Sequence, residues 1–103
     1  MKLSNSDRIL LTTLLPGEGK YEDLICIKDI RKKVEPTQSE LVEWGLKTTE
    51  NNQITWKPSE KKYEIKFSEL ETTLIKTVLQ KKNEEKKLNE NLLPLYQLFV
   101  VNL

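Results

Sequence analysis

Few side chains in this sequence have the chemistry of a catalytic nucleophile, a general base or a metal ligand. The 103 residues include one cysteine and no histidine. Cys–His nucleophiles, histidine proton relays and zinc sites made of cysteine and histidine are therefore excluded within one chain. Cys26 stands between Ile25 and Ile27 on a predicted apolar helix face, where a free cysteine is commonly a small buried hydrophobe. We predict no catalytic role for it.

Carboxylates and glycines are the other residues from which a functional site could be built. A pair of carboxylates can perform acid–base catalysis, but the acidic residues here, Glu40 and Glu71 among them, are explained as helix caps or surface charges. The glycines at positions 17, 19 and 45 match neither the P-loop nor the dinucleotide-binding pattern. We therefore predict a protein that is not an enzyme and has no catalytic, cofactor-binding or metal-binding residues. A carboxylate site for Mg²⁺ stays open as the alternative.

Length and charge restrict the class of protein further. A chain of 103 residues is sufficient for one domain, which we expect to span residues 1–103. The 17 basic and 16 acidic residues leave a net charge of +1, without the long-range positive potential of most nucleic-acid-binding proteins. The apolar run at residues 9–15 is too short to cross a membrane. With a lone cysteine, we expect the protein to lie in a reducing cytoplasm and not in a membrane.

Three helices are predicted in the first half of the chain. Ser4 is placed to cap the first, in which leucines recur at three- and four-residue spacing until Pro16. The second covers residues 21–34, with its apolar side chains within an arc of about 160°. The third begins at a capping box of the form S/T-x-x-E, made by Thr37 and Glu40, and continues to about residue 47.

The second half of the chain begins with a change of hydrophobic period from 3.6 to 2. Residues 53–57 and 62–67 alternate apolar and polar side chains, which predicts an antiparallel hairpin with a turn at 58–61. A helix beginning at a second capping box, Ser68 to Glu71, and a last apolar helix follow. The predicted fold is α+β and mainly helical, with five helices and one β-hairpin between helices three and four, in the order of a winged helix.

The winged-helix order makes DNA binding the alternative function. The third helix would enter the major groove and the hairpin would contact the phosphate backbone. Glu40 and Glu43 lie on that same helix and disfavour this role, because a carboxylate facing phosphates is repelled. The residues expected to contact DNA are Thr37, Gln38, Ser39, Lys57, Lys61 and Lys62.

The C-terminal segment favours an interaction with protein. Nine of the twelve residues from 92 to 103 are apolar, so a helix here has little polar face and must be buried. It is buried either in its own core or against a second copy or another protein, and both possibilities stay open. The expected partner-binding residues are Leu92, Leu95, Tyr96, Phe99 and, on the third helix, Trp44. A protein–protein interaction or assembly module is the leading hypothesis.

Several stretches resemble segments of small uncharacterised proteins encoded by phages and prophages of low-GC Gram-positive bacteria. They are SDRILL and LLPGEG (6–11 and 14–19), IRKK and ELVE (30–33 and 40–43), and ITWKP (54–58). The absence of alanine and the ratio of 15 lysines to two arginines are typical of AT-rich coding sequences. The resemblance implies a phage or prophage setting, so the expected cytoplasm is that of a bacterial host. It includes no catalytic motif and assigns no functional residues.

Overall fold

The computed structural model describes residues 1–102 of the chain. In that range the chain forms five α-helices and four two-residue strands, and the predicted class, α+β and mainly helical with five helices, is confirmed. The helices are α1 (Asn5–Leu14), α2 (Tyr21–Val34), α3 (Gln38–Glu43), α4 (Glu69–Glu84) and α5 (Leu93–Tyr96). The strands are β1 (Lys2–Leu3), β2 (Lys47–Thr48), β3 (Ile54–Thr55) and β4 (Tyr63–Glu64).

Capping boxes begin three of the helices. In each box the hydroxyl of the residue before the helix accepts a hydrogen bond from the third helical N–H, and the carboxylate at that third position accepts one in return. Each such cap contributes about 1 kcal/mol and satisfies two N–H groups that the helix leaves without partners. The pairs are Ser4 with Asp7, Thr37 with Glu40 and Ser68 with Glu71.

The strands pair differently from the predicted hairpin. β2 pairs with β3, with Lys47 opposite Thr55, and β4 pairs with β1, with Leu3 opposite Tyr63. The prediction that residues 53–57 pair with residues 62–67 is therefore wrong. Alternation within a short segment shows that it is extended but does not say which segment it pairs with.

A buried asparagine explains why the expected hairpin does not close. The amide nitrogen of Asn5 donates to the carbonyl oxygen of Lys57 over 2.8 Å, and its amide oxygen accepts from the N–H of Ser59 over 3.1 Å. The indole N–H of Trp56 also donates to the Ser6 hydroxyl over 2.9 Å. These bonds hold residues 56–59 against the beginning of α1, so this stretch leads away from β3 toward β1.

Replacing Asn5 by alanine is expected to lower the free energy of unfolding by about 1–3 kcal/mol, because two backbone groups of the loop lose their partner. Denaturant unfolding of the purified chain measures the difference. Asn51→Ala is the matched control, since Asn51 is exposed. Equal stability of the two variants would contradict the role assigned to Asn5.

The core lies between α1, α2, α4 and the C-terminal helical segment. This segment consists of a 3₁₀ turn (Glu90–Leu92), α5 and a π-helical turn (Gln97–Val101). Leu95 and Phe99 are completely buried, and the Phe99 ring meets the Phe67 ring edge-on with 5.8 Å between centroids. The C-terminal segment thus closes the chain's own core, which was one of the two possibilities left open by its apolar sequence.

Candidate docking groove between α2 and α4

The two longest helices, α2 and α4, lie side by side and run in opposite directions. The Lys33 ammonium near the end of α2 forms a salt bridge with Glu71 in the first turn of α4. At the other end, Glu22 in the first turn of α2 and Val78 in the second half of α4 line one cavity. The ion pair therefore joins the two helices at one end of their contact, and a cavity lies between them toward the other end.

The open part forms a cavity of about 380 Å³, which we call the α2–α4 groove. Cys26 and Ile27 of α2 and Leu74 and Val78 of α4 contribute its apolar surface. Leu70 also lines the groove, although 78% of this residue is exposed. Leucine, leucine and valine recur every four residues along α4, so they lie on one side of the helix and point to the same groove. The remaining lining residues are Pro16, Glu18, Gly19, Glu22, Asp23, Thr73 and Thr77.

The charged residues of the groove are all acidic. Glu18, Glu22 and Asp23 lie at the end formed by the α1–α2 loop and the first turn of α2, and all three are exposed. Among the described residues that line the groove there is no lysine or arginine. One end of an apolar groove therefore carries three negative charges.

The pKa of the Cys26 thiol depends on the environment of the groove. Burial and the nearby carboxylates of Glu71, Asp29 and Asp23 raise its pKa, and Lys33 opposes them only partly. The thiol is therefore more fully protonated at neutral pH than a free cysteine, which is the opposite of what an activated nucleophile needs. The structure gives Cys26 the character of an apolar lining residue.

Replacing Asp29 by asparagine is expected to lower the pKa of the Cys26 thiol, because one of the charges that disfavour the thiolate is removed. The rate of reaction with an aromatic disulfide reagent, followed from pH 7 to pH 10, should rise at a lower pH than in the parent chain. Glu43→Gln, on the exposed surface of α3, should leave this pH profile unchanged. A profile that moves equally in both variants would contradict the assignment.

Comparisons with protein-family models, with curated proteins and with solved structures found no match to this chain. The resemblance to phage and prophage proteins stays a prediction. Two negative findings apply to residues 1–102: no cluster of three or more cysteine or acidic side chains is arranged to hold a metal ion, and no helix has the length and apolarity to cross a bilayer.

The structure corrects the expected partner-binding residues. Leu92, Leu95, Phe99 and Trp44 are all buried within this chain, so their side chains are not available to a partner at the surface. Tyr96 is half-buried, and its hydroxyl accepts a hydrogen bond from the Asn83 amide over 3.3 Å. The C-terminal residues are buried because a helical segment that is apolar on nearly all sides can be enclosed by α1 and α4 together.

Trp44 is buried because an arginine brings α1 and α3 together around it. Arg8, 5% exposed, donates to both carboxylate oxygens of Glu40 over 2.8 and 3.0 Å and to the carbonyl oxygens of Val34 and Glu35 over 3.0 Å. Its guanidinium carbon lies 5.1 Å from the ring centroid of Trp44. The hydrogen bonds that Glu40 accepts from Arg8, and the one that it accepts from the Thr37 N–H, lower the pKa of its carboxyl group.

The residues expected to bind DNA lie on two separate elements. The Thr37 hydroxyl is used in the capping box of α3, and the neighbouring Gln38 and Ser39 are exposed. Lys57, Lys61 and Lys62 are also exposed, but they do not belong to a two-stranded wing, since β3 and β4 pair elsewhere. Of the two carboxylates that disfavour DNA binding, Glu43 faces solvent and Glu40 is turned inward to Arg8.

Proposed function

We propose that this chain is a non-enzymatic protein of phage or prophage type that acts by binding another protein in the α2–α4 groove. The observation that carries the proposal is an apolar groove between α2 and α4 that stays open at the surface, although the apolar C-terminal segment is largely enclosed in the core. Leu70, at its edge, is exposed over 78% of its surface. An exposed leucine beside an apolar depression is typical of a surface that a partner covers.

The lining of the groove favours a protein partner over a small metabolite. Sites for small molecules place several polar groups toward one point inside the pocket to orient the ligand. In the α2–α4 groove, the carboxylates are exposed at one end and the interior is apolar. Further large apolar side chains, Tyr21 and Ile25, are exposed on α2, at 76% and 45%. Aromatic and aliphatic groups of this kind anchor protein interfaces.

A photo-crosslinking amino acid placed at position 70 tests the proposal in cells of a low-GC Gram-positive bacterium. We expect illumination to give one defined adduct with another protein. The same amino acid at position 42 is the control, because Val42 is 82% exposed but lies on α3. It should give no adduct of the same mass.

A variant that fills the groove completes the test. Thr73 and Thr77 line the groove and are exposed, so replacing both by glutamine fills the groove without changing charge or weakening the helix. The adduct from position 70 should be lost in this variant and kept in Thr13→Gln, on the exposed surface of α1. The proposal fails if no adduct forms, if the filled groove still gives it, or if its mass is that of two copies of this chain.

A further inference from the structure

We infer that the occupant of the α2–α4 groove is a positively charged amphipathic helix of the partner protein. Its apolar side chains would lie on Leu74 and Val78, and its lysines or arginines would lie beside Glu18, Glu22 and Asp23. This inference rests on the proposed function and adds the chemical class of the partner.

Charge complementarity is the main argument for a basic partner. The three carboxylates at the acidic end of the groove form no ion pair with any of residues 1–102. Glu22 and Asp23 lie in the first turn of α2, whose positive dipole end offsets only about half of one charge. When the ammonium of Lys20, the N-cap residue of α2, is counted as well, a net charge of about −1.5 remains at a groove that is otherwise apolar.

The raised pKa of the Cys26 thiol agrees with this charge, because Asp23 is one of its causes. Cys26 is half-buried in the groove, and after burial the largest causes of its raised pKa are the carboxylates of Glu71, Asp29 and Asp23, of which only Asp23 belongs to the acidic end. Lys33, the cation that faces the thiol, is itself paired with Glu71. The charge of Asp23 thus acts on Cys26, one of the residues that form the apolar surface of the groove.

The spacing of the apolar residues favours a helix as the bound form. From Leu70 to Val78, α4 advances about 12 Å, which is two helical turns. A helix lying along this stretch presents apolar side chains at positions i, i+3 or i+4 and i+7, in the helix-in-groove mode of recognition. Its opposite face would stay in solvent and needs no contact with this chain.

Three synthetic helical peptides with the same leucine face test the inference. Their polar positions carry only lysine, only glutamine or only glutamate, and a scrambled Leu/Lys peptide without an apolar face is the control. The readout is protection of Cys26 in the folded full chain from an aromatic disulfide reagent. Because the chain has one cysteine, protection reports the groove alone.

The Leu/Lys peptide should protect Cys26 at concentrations at least about tenfold lower than the Leu/Gln peptide, since exposed ion pairs each contribute up to about fivefold in affinity. This advantage should shrink when the ionic strength is raised. The Leu/Glu and scrambled peptides should not protect. Glu22→Gln combined with Asp23→Asn should bring the Leu/Lys peptide close to the Leu/Gln level, whereas Glu43→Gln combined with Glu50→Gln, both exposed and outside the groove, should not.

Two outcomes separate this inference from the proposed function. Equal protection by the Leu/Lys and Leu/Gln peptides would overturn the basic character of the partner and leave the groove as a docking site. No protection by any peptide would overturn the inference as a whole, while the crosslink from position 70 would still decide whether a protein binds there. Protection is expressed relative to the same variant without peptide, because removing Asp23 also changes the reactivity of the thiol.

Discussion

Replacing Phe99 by alanine is expected to lower the free energy of unfolding by about 3–5 kcal/mol, a large part of the 5–15 kcal/mol typical of a domain of this size. Phe99 is completely buried and packs edge-on against Phe67, so the variant loses both the apolar burial and an aromatic contact. Thermal and denaturant unfolding of the purified chain measure the change. A poorly folded variant would agree with the expectation, because such a loss approaches the whole stability of a marginal domain.

The control for Phe99 lies in the same C-terminal segment. Leu93 is 48% exposed, and Leu93→Ala should cost about 1 kcal/mol or less. This comparison separates a core element from a partner-binding surface. If Phe99 served a partner and not the core, Phe99→Ala would unfold at the same denaturant concentration as the parent chain.

Replacing Arg8 by methionine is expected to destabilise the chain by about 3–5 kcal/mol, because it leaves a largely buried carboxylate without its cation. Both oxygens of Glu40 accept from Arg8, and the carbonyl oxygens of Val34 and Glu35 lose their donor as well. The double variant Arg8→Met with Glu40→Gln should recover part of the loss, since the uncompensated charge is gone. Equilibrium unfolding of the three chains measures the coupling between the two residues.

The contribution of the Arg8–Glu40 ion pair to the stability of the fold should decrease as the pH is lowered. The pKa of Glu40 is lower in the folded chain than the ordinary value of about 4.3, so the stabilisation is complete above that value. This stabilisation is lost as the pH falls through the pKa of Glu40 in the folded chain. The difference in the free energy of unfolding between the parent chain and Arg8→Met should therefore become smaller over that pH range.

Arg31→Met is the control for Arg8, because Arg31 is the other arginine of the chain. It donates a single hydrogen bond to the carbonyl oxygen of Leu15 and should cost about 1 kcal/mol. An equal loss in the free energy of unfolding for Arg8→Met and Arg31→Met would contradict the central role given to Arg8.

The helices follow from signals within a few residues of each other. The capping boxes at Ser4, Thr37 and Ser68 join groups three residues apart, and the range Tyr21–Val34 predicted for α2 agrees with the structure. The third helix is shorter than predicted and ends at Glu43, followed by Gly45 with a φ of +61°. Local signals of this kind act whatever the rest of the chain does, because the bonds they describe close within one turn.

The contacts that shape the surface join residues far apart in the sequence. Asn5 is 52 residues from Lys57, and Arg8 is 32 residues from Glu40. Nothing in the neighbourhood of Asn5 distinguishes it from a solvent-exposed asparagine, so its effect on strand pairing was not predictable. The Arg8–Glu40 pair was equally hidden, because Glu40 already had a local role as a cap.

The α2–α4 groove depends both on local sequence signals and on contacts between distant parts of the chain. Leu70, Leu74 and Val78 recur every four residues, so helical periodicity alone places them on one side of α4. Glu18, Glu22 and Asp23 are close together in the sequence, before and within the first turn of α2. That a cavity lies between the two helices depends on how they pack against each other, which no local pattern encodes. Periodicity determines which side chains share a face, whereas the packing of the whole chain determines which faces are covered and which stay open to a partner.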